Sequence, residues 1–262
     1  MRTLTKRSFV QIAHNAPVGC ALAALMAFAA VPLFAQSGPP AVPRLVNGKP
    51  NFSGIWNHPY VPDMAKSSKG ANGMMQEGPG TLPFTPAAQA AFEKYDPAVD
   101  GDYTGSCLPF GYLRSFNAPY PIQILQTPEY VGFLFEQNTW FHVVAMGRPH
   151  PEQLEPTWFG DSVGKWDGDT LVIDTIGFNG KTRLDTIGHQ HSDVMHVVQK
   201  ISRPDLQHLQ MELTVNDPKT YTEPWSNKRV FTLMKPGQEL MEYSCEENNR
   251  DFTQGHIHLP KK

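Results

Sequence analysis

The sequence predicts a mostly β protein that folds as a single antiparallel β-barrel, with one short helix and a long loop insert near the N-terminus. From Pro121 onward, short runs of alternating apolar and polar residues follow one another at the regular spacing of a β-meander. The chain also contains 24 Pro and 21 Gly, which interrupt long helices and mark frequent turns. No βαβ rhythm is present, so a sandwich and a barrel are the two candidate architectures. The barrel is favoured because closure removes the exposed edges of a long meander.

Residues 1–35 have the composition of a targeting segment. Three basic residues and no acidic one precede an apolar run over residues 18–35. We therefore expect a signal peptide that ends at Ala35, a single domain over residues 36–262, and a periplasmic or secreted location. The alternative is an uncleaved membrane anchor, because the apolar run approaches the roughly 20 residues that cross a bilayer. After cleavage, no stable membrane insertion is expected.

The export route stays open at this point. Residues 5–11 resemble a twin-arginine signal in which Lys6 stands where the first arginine would be. An ordinary secretory signal, the alternative, needs only the basic residues and the apolar run.

The first half of the domain is predicted to be largely irregular. Asn51–Asn57 is typical of a first strand, and residues 62–86 form a long loop of the kind that often serves as a lid. Thr85 is a good N-cap, Pro86 suits the first helical position, and strong helix formers continue through Tyr95. One short helix is therefore predicted there, and residues 96–118 return to loop composition.

The second half is predicted to be β. Asp167-Gly168 is a dipeptide typical of a two-residue hairpin turn between two apolar runs. Residues 209–215 alternate cleanly between apolar and polar, which predicts one buried and one solvated face. The predicted strands of this half lie in PIQILQT, EYVGFLFEQ, TWFHVVAM, the two arms of the hairpin, DVMHVVQKIS, HLQMELTV, KRVFTLMK and ELMEYSC.

Two stretches resemble known families. Asn51-Phe-Ser-Gly-Ile-Trp56 resembles the Gly-x-Trp strand that opens lipocalin-like (calycin) barrels, which implies a lipocalin-like barrel closed at one end by Trp56. Residues 148–203 resemble a family of secreted bacterial proteins of undetermined function. The matching segments are the hairpin Trp166–Val172 and the segment His191–Asp193. That resemblance implies export and a similar fold, and it implies no reaction.

Two of the three cysteines remain after signal cleavage. Cys20 lies within the predicted signal, whereas Cys107 and Cys245 belong to the mature chain. An oxidising compartment favours a disulfide between them, and two buried thiols are the alternative.

Ionisable side chains are unusually dense just after the predicted hairpin. General acid–base chemistry needs a histidine and a carboxylate that orients it or shares its proton. The predicted catalytic residues are His191, His196, Asp185, Glu246 and Arg183, with Arg183 available to stabilise an anion. The predicted ligand-binding residues are Trp56, Asp174, Tyr243 and His150. For each of these residues a structural role is the alternative, namely a hydrogen-bonded histidine or a solvated strand end.

A metal site is a weaker interpretation of the same segment. His189, His191 and His196 resemble the first metal motif of cupins, but the second cupin motif is missing. We therefore predict no metal and no cofactor.

Two functions remain. The first is a cofactor-independent lyase, hydratase or isomerase acting on a hydrophobic or aromatic small molecule in the mouth of the barrel. The second is a non-catalytic ligand-binding or envelope protein of the lipocalin type. Nucleotide-binding, serine-hydrolase and zinc-protease motifs are absent from the sequence, and no basic patch predicts a nucleic-acid partner. Catalysis would require several of Asp185, His191, His196 and Glu246 to converge within hydrogen-bond reach in one pocket, whereas their scatter over the outer surface would favour the binding protein.

Overall fold

A computed structural model describes residues 41–247, 249–250, 254 and 258–260. The predicted signal peptide lies outside these residues, so its cleavage and the export route stay predictions. All described residues belong to one compact unit, Pro39–Lys262. Over the described ranges, no helix combines the length and apolar character needed to cross a membrane.

The protein is mostly β, as predicted, and the strands of the described chain close into a nine-stranded barrel. The strands are β1 (Gly54–Asn57), β2 (Ser68–Lys69), β3 (Met75–Glu77), β4 (Ile122–Gln126), β5 (Tyr130–Phe135), β6 (Phe141–Met146), β7 (Asp161–Asp167), β8 (Thr170–Ile176), β9 (His196–Ser202), β10 (His208–Asn216) and β11 (Trp225–Leu233). The order around the barrel is β1, β4, β5, β6, β7, β8, β9, β10 and β11, and β1 pairs with β11 to close it. Two short strands, β3 and β2, continue outward from β11.

One neighbouring pair in the barrel is parallel, which departs from the predicted all-antiparallel meander. β6 and β7 run in the same direction, with Val144 opposite Ser162, whereas every other barrel pairing in the described chain is antiparallel. A parallel pair cannot be joined by a tight turn and needs a crossover of about a dozen residues or more. Residues 147–160 provide this connection, and we call them the crossover.

The predicted hairpin joins β7 to β8 and is shifted by one residue. Asp167 pairs with Thr170, so the two-residue loop is Gly168-Asp169. Gly168 has a φ of 57°, as expected for glycine at the first central position of a type II′ turn. The predicted alternation over residues 209–215 is confirmed, because every second side chain of β10 is buried.

The predicted strand at residues 239–245 is wrong. That segment contains turns and irregular backbone. Both edges of β11 are already occupied, since β10 covers one side while β1 and β3 share the other. A further strand has no free partner there, although its composition favours β structure.

The described chain contains three α-helices where one was predicted. α1 (Pro86–Lys94) is the predicted helix, and Thr85 caps it by accepting a hydrogen bond from the backbone of Ala88. α2 (Pro97–Asp100) and α3 (Tyr112–Asn117) lie in the stretch predicted to be loop. α3 begins after Gly111, whose φ of 83° and close approach to Thr182 leave no room for a side chain.

α3 lies inside the barrel. Phe116 packs against Phe133 and Phe135 of β5, with ring centroids 5.1 Å apart in both pairs. On the other side, Tyr112 donates a hydrogen bond to Gln199 of β9. Since β5 and β9 stand on different sides of the barrel, the helix spans the interior. A lipocalin-type ligand cavity at this position is therefore filled by the chain itself.

Trp56 of β1 closes part of the barrel core. Its ring is fully buried, its Nε1 donates to the Phe52 carbonyl at 2.9 Å, and the Arg203 guanidinium lies 5.1 Å from its ring. Gly54 stands two residues earlier with a φ of 146°, and a Cβ there would lie 2.8 Å from Leu233. The Gly-x-Trp pattern thus reflects close packing, and Trp56 is a core residue.

Replacing Phe116 with Ala should lower the free energy of unfolding by about 3 to 5 kcal/mol, because it empties the contact that seats α3 in the barrel. The matched control is Phe141→Ala on the outer face of β6, where the side chain is 67 % exposed. The control should change stability by less than about 1 kcal/mol. Urea unfolding followed by tryptophan fluorescence measures both, and equal effects of the two substitutions would contradict an interior position for α3.

Cys107 and Cys245 are joined by a disulfide, with Cα atoms 5.5 Å apart and 138 residues of sequence separation. The bond ties the turn before α3 to the segment after β11.

The double variant Cys107→Ser/Cys245→Ser should lower the free energy of unfolding by up to about 5 kcal/mol, since a long loop is no longer closed in the unfolded chain. Urea unfolding with and without reductant tests this. If reductant does not change the unfolding midpoint of the wild-type protein, the bond does not stabilise the fold.

Candidate functional site

Three neighbouring strands place ionisable side chains together on the outer face of the barrel. Asp161 of β7, Asp174 of β8 and His196 of β9 alternate with inward-facing residues on their strands. Asp174 lies directly opposite Val163 and Val198, so Asp161 and His196 are its diagonal neighbours. Diagonal neighbours on one face of a sheet are within reach of long side chains.

The crossover adds two more residues to this face. The ring of His150 lies between two carboxylates, with Nδ1 2.6 Å from Asp161 and Nε2 3.1 Å from Asp174. Arg148 donates to the other oxygen of Asp161 at 2.6 Å. His196 Nε2 lies 2.9 Å from the same Asp174 oxygen that faces His150. We call these five residues the His150 cluster.

The environment of the cluster keeps Asp161 ionised. Partial burial alone would raise the pKa of Asp161, but hydrogen bonds from Arg148 and His150 hold this pKa below its ordinary value. Prolines on both sides of His150 limit the backbone freedom of the crossover, so the ring is held over the sheet.

An open groove of about 610 Å³ adjoins the His150 cluster. It runs between the start of the crossover and the outer faces of β7, β8 and β9. Apolar side chains form much of its wall, and three charged or ionisable cluster members reach it. Its lining consists of Gly147, Arg148, Pro149, His150, Val163, Gly164, Lys165, Val172, Asp174 and Val198.

A second pair of ionisable residues is buried in the loop between β8 and β9. Asp185 is fully buried, and one of its oxygens lies 2.6 Å from Nδ1 of His189. Backbone N–H groups of Met64 and His189 also donate to Asp185. Asp63 lies nearby, 3.8 Å from the same ring nitrogen. Phe92 packs against His189 with ring centroids 4.7 Å apart.

His191 lies apart from both groups. It is buried, with Nε2 2.7 Å from the Thr182 hydroxyl and Nδ1 2.9 Å from the Ser192 carbonyl. Burial lowers the pKa of His191 below its ordinary value. With both ring nitrogens bonded, His191 fits a structural role. His189, His191 and His196 each have different partners, so they do not form the three-histidine metal motif.

The remaining predicted site residues are dispersed. Arg183 stacks on Tyr95, with its guanidinium carbon 4.1 Å from the ring centroid. Tyr243 packs against Tyr120 with ring centroids 5.2 Å apart, and Glu246 is exposed. Asp185, His191, His196 and Glu246 therefore do not converge in one pocket, which argues against catalysis by this predicted set and leaves acid–base chemistry only to other combinations of residues. The residues brought together from the predicted set are His150, Asp174 and His196.

Sequence reasoning did not single out Arg148, Asp161 and Asp63. Arg148 lies in the crossover and Asp161 follows it, and the parallel pairing of β6 with β7 accompanies their contact. Asp63 meets the group across a long sequence separation. His189 was considered only for a three-histidine metal motif, although it lies four residues after Asp185 and contacts it directly.

Comparison of the chain with protein-family models, curated proteins and solved structures finds no match. Function is therefore inferred from the geometry.

Two buried histidines of the barrel predict a pH dependence of stability. Burial lowers the pKa of His58 and of His142 to about 4 from an ordinary value near 6.5. Because the unfolded chain binds these protons more tightly, stability present above pH 6.5 is lost as the pH falls toward 4. Each histidine should cost about 2 to 3 kcal/mol between pH 7 and pH 4.5.

The substitution His142→Asn should remove about half of this pH-dependent loss of stability, because only one of the two buried histidines then remains. Urea unfolding of both proteins at pH 7, 5.5 and 4.5 measures it. The matched control is His208→Asn: the hydrogen bond with Asp205 raises the pKa of His208, so removing this histidine should not reduce the loss at low pH. An identical pH dependence in wild type and His142→Asn would contradict a buried neutral imidazole.

Proposed function

We propose that the protein is an exported enzyme that transfers protons on a hydrophobic or aromatic small molecule in the groove beside the His150 cluster. The reaction class is that of a cofactor-independent lyase, hydratase or isomerase. The observation that carries the proposal is the position of Asp174, whose Oδ1 faces Nε2 of both His150 and His196 at the wall of an open groove. One carboxylate thus couples two imidazoles next to space for a ligand.

The two histidines have different roles in this proposal. Asp174 orients His196 through Nε2, and no described residue hydrogen-bonds its Nδ1, which is therefore available to accept or return a proton. His150 faces carboxylates with both ring nitrogens and can donate to both only when it is protonated. Arg148 beside it places positive charge where an anionic intermediate would form.

The lining of the groove indicates the ligand class. Val163, Val172 and Val198 present an apolar wall to the body of a small molecule. Arg148 and Lys165 lie in the same lining and suit a carbonyl or carboxylate group. A compound with an apolar body and an acidic C–H next to a carbonyl or carboxylate group fits both the valine wall and the two cationic side chains.

Export is part of the proposal. The disulfide between Cys107 and Cys245 suits an oxidising compartment, in agreement with the predicted signal peptide. The resemblance to secreted bacterial proteins points the same way.

A non-catalytic ligand-binding protein is the second candidate, and one observation favours it. The outer faces of β4, β5 and β6 form an apolar groove of about 380 Å³ together with Leu240 and Met241. Leu125, Phe141 and Val143 are exposed there. An apolar surface of this kind binds hydrophobic ligands without catalytic groups.

The test uses deuterium exchange. The wild-type protein is incubated in D₂O with a panel of small aromatic and aliphatic carbonyl and carboxylic compounds, and ¹H NMR follows the loss of each C–H signal. We expect exchange for at least one compound and a decrease of about 10²- to 10⁴-fold in His196→Ala. Because His196 is partly exposed, this substitution should change the free energy of unfolding by less than about 1 kcal/mol.

His208→Ala is the matched control, since His208 is also a partly exposed histidine paired with an aspartate. It should leave the exchange rate unchanged. Exchange that is equal in wild type and His196→Ala would contradict the proposed site. A compound that raises the melting temperature without exchange, and whose effect is lost in Val143→Lys but kept in His196→Ala, would support the binding protein instead.

A further inference from the structure

The structure points to a second site that the proposed chemistry does not use. We propose that Asp63, Asp185 and His189 bind a divalent transition-metal ion, with Zn²⁺ as the first ion to test. The three side chains come from two separate loops, one between β1 and β2 and the other between β8 and β9. They share no residue with the His150 cluster, so this proposal stands independently of the proposed function.

The distances suit a small cation. One ligand atom from each residue lies within 4.8 Å of the other two. Nδ1 of His189 is 2.6 Å from Asp185 and 3.8 Å from Asp63. Zn²⁺ binds nitrogen and oxygen ligands at about 2.0 to 2.2 Å, so ligand atoms in a tetrahedral site are separated by about 3.4 Å. The two distances from Nδ1 of His189 bracket this value.

The charges at the site also favour a cation. Asp185 is fully buried, and among the described ion pairs neither Asp63 nor Asp185 meets a lysine or an arginine. Arg229 acts on Asp185 only through space, since its guanidinium donates to Phe116, Asn117 and Asn227. The two carboxylates of the site carry a formal charge of −2, which a divalent ion would neutralise.

The carboxylates are held in place by the backbone. Met64 and Ala65 donate N–H groups to Asp185 and Asp63 at 2.8 Å each. Further contacts fix this loop, because Asn227 donates to the Met64 carbonyl at 2.7 Å and Gln76 to the Lys66 carbonyl at 2.8 Å. Metal sites depend on such outer hydrogen bonds to orient their ligands. The site is thus built before any ion enters.

The ligand set defines the kind of metal. One imidazole with two carboxylates suits zinc and neighbouring first-row ions better than calcium or magnesium, which prefer oxygen ligands alone. Three protein ligands leave a position open for water, the arrangement found in catalytic zinc sites. A metal ion competes with protons for Nδ1 of His189, so metal affinity should fall as the pH falls.

The experiment uses the full-length protein after chelator treatment and dialysis. Zn²⁺ content is measured by elemental analysis and affinity by calorimetry. We expect one Zn²⁺ per chain and affinity lowered at least 10-fold in both His189→Gln and Asp63→Asn. Asp63 is partly exposed, so Asp63→Asn tests the site even if loss of His189 disturbs the fold.

Two matched controls separate this site from surface histidines. His196→Gln and His208→Gln each remove a histidine paired with an aspartate elsewhere, and both should bind Zn²⁺ like the wild type. The proposal is overturned if the wild type binds no Zn²⁺ at micromolar concentrations. It is also overturned if Asp63→Asn and His189→Gln bind with wild-type affinity, because the ion would then sit elsewhere.

Discussion

The number of strands in the barrel imposes the constraint on which the candidate site depends. In a closed ring, strands can alternate in direction only if their number is even, and this barrel has nine among the described residues. At least one neighbouring pair must then be parallel. The chain meets this condition between β6 and β7 and needs the crossover of residues 147–160 to do so. That segment carries Arg148 and His150 back over the sheet and sets them against Asp161 and Asp174.

Barrel width has a second consequence. The interior of an eight-stranded barrel is just filled by its own side chains or holds one small ligand, and an added strand widens it. Here α3 occupies the extra space, with Phe116 against β5 and Tyr112 against β9. Polar residues of the wall pair with the helix, as when Arg229 donates to the Phe116 carbonyl. A ligand site inside the barrel is thereby replaced by packing, so accessible chemistry lies on the outer face and in the loops.

The parts of the fold that the sequence predicts are those set by local patterns. Alternation over residues 209–215, the glycine turn at Gly168 and the capped helix after Thr85 all depend on neighbours within a few positions. α3 was missed because its cap is Gly111, which contributes no side-chain hydrogen bond, and because its six residues are stabilised by the surrounding barrel. The strand predicted at residues 239–245 is wrong for the opposite reason. Their local preference for β structure is real, but both edges of the preceding strand β11 are already paired.

The candidate site shows the same limit at the level of side chains. Sequence reasoning singled out His150, Asp174 and His196 but assigned them to different roles, because their distances depend on strand register and on the crossover. Asp185 was predicted as an acid–base residue, but the histidine that it contacts is His189 and not His191. Neighbouring histidines in a sequence therefore need not share chemistry. Here the three histidines differ in their surroundings. His191 is buried with both ring nitrogens hydrogen-bonded, and His189 is buried beside two carboxylates. His196 is partly exposed to solvent and pairs with Asp174 at the groove. A proton carrier must be reachable by its substrate, whereas a metal ligand must be shielded and fixed, and the two proposals place these opposite requirements on different histidine–aspartate groups.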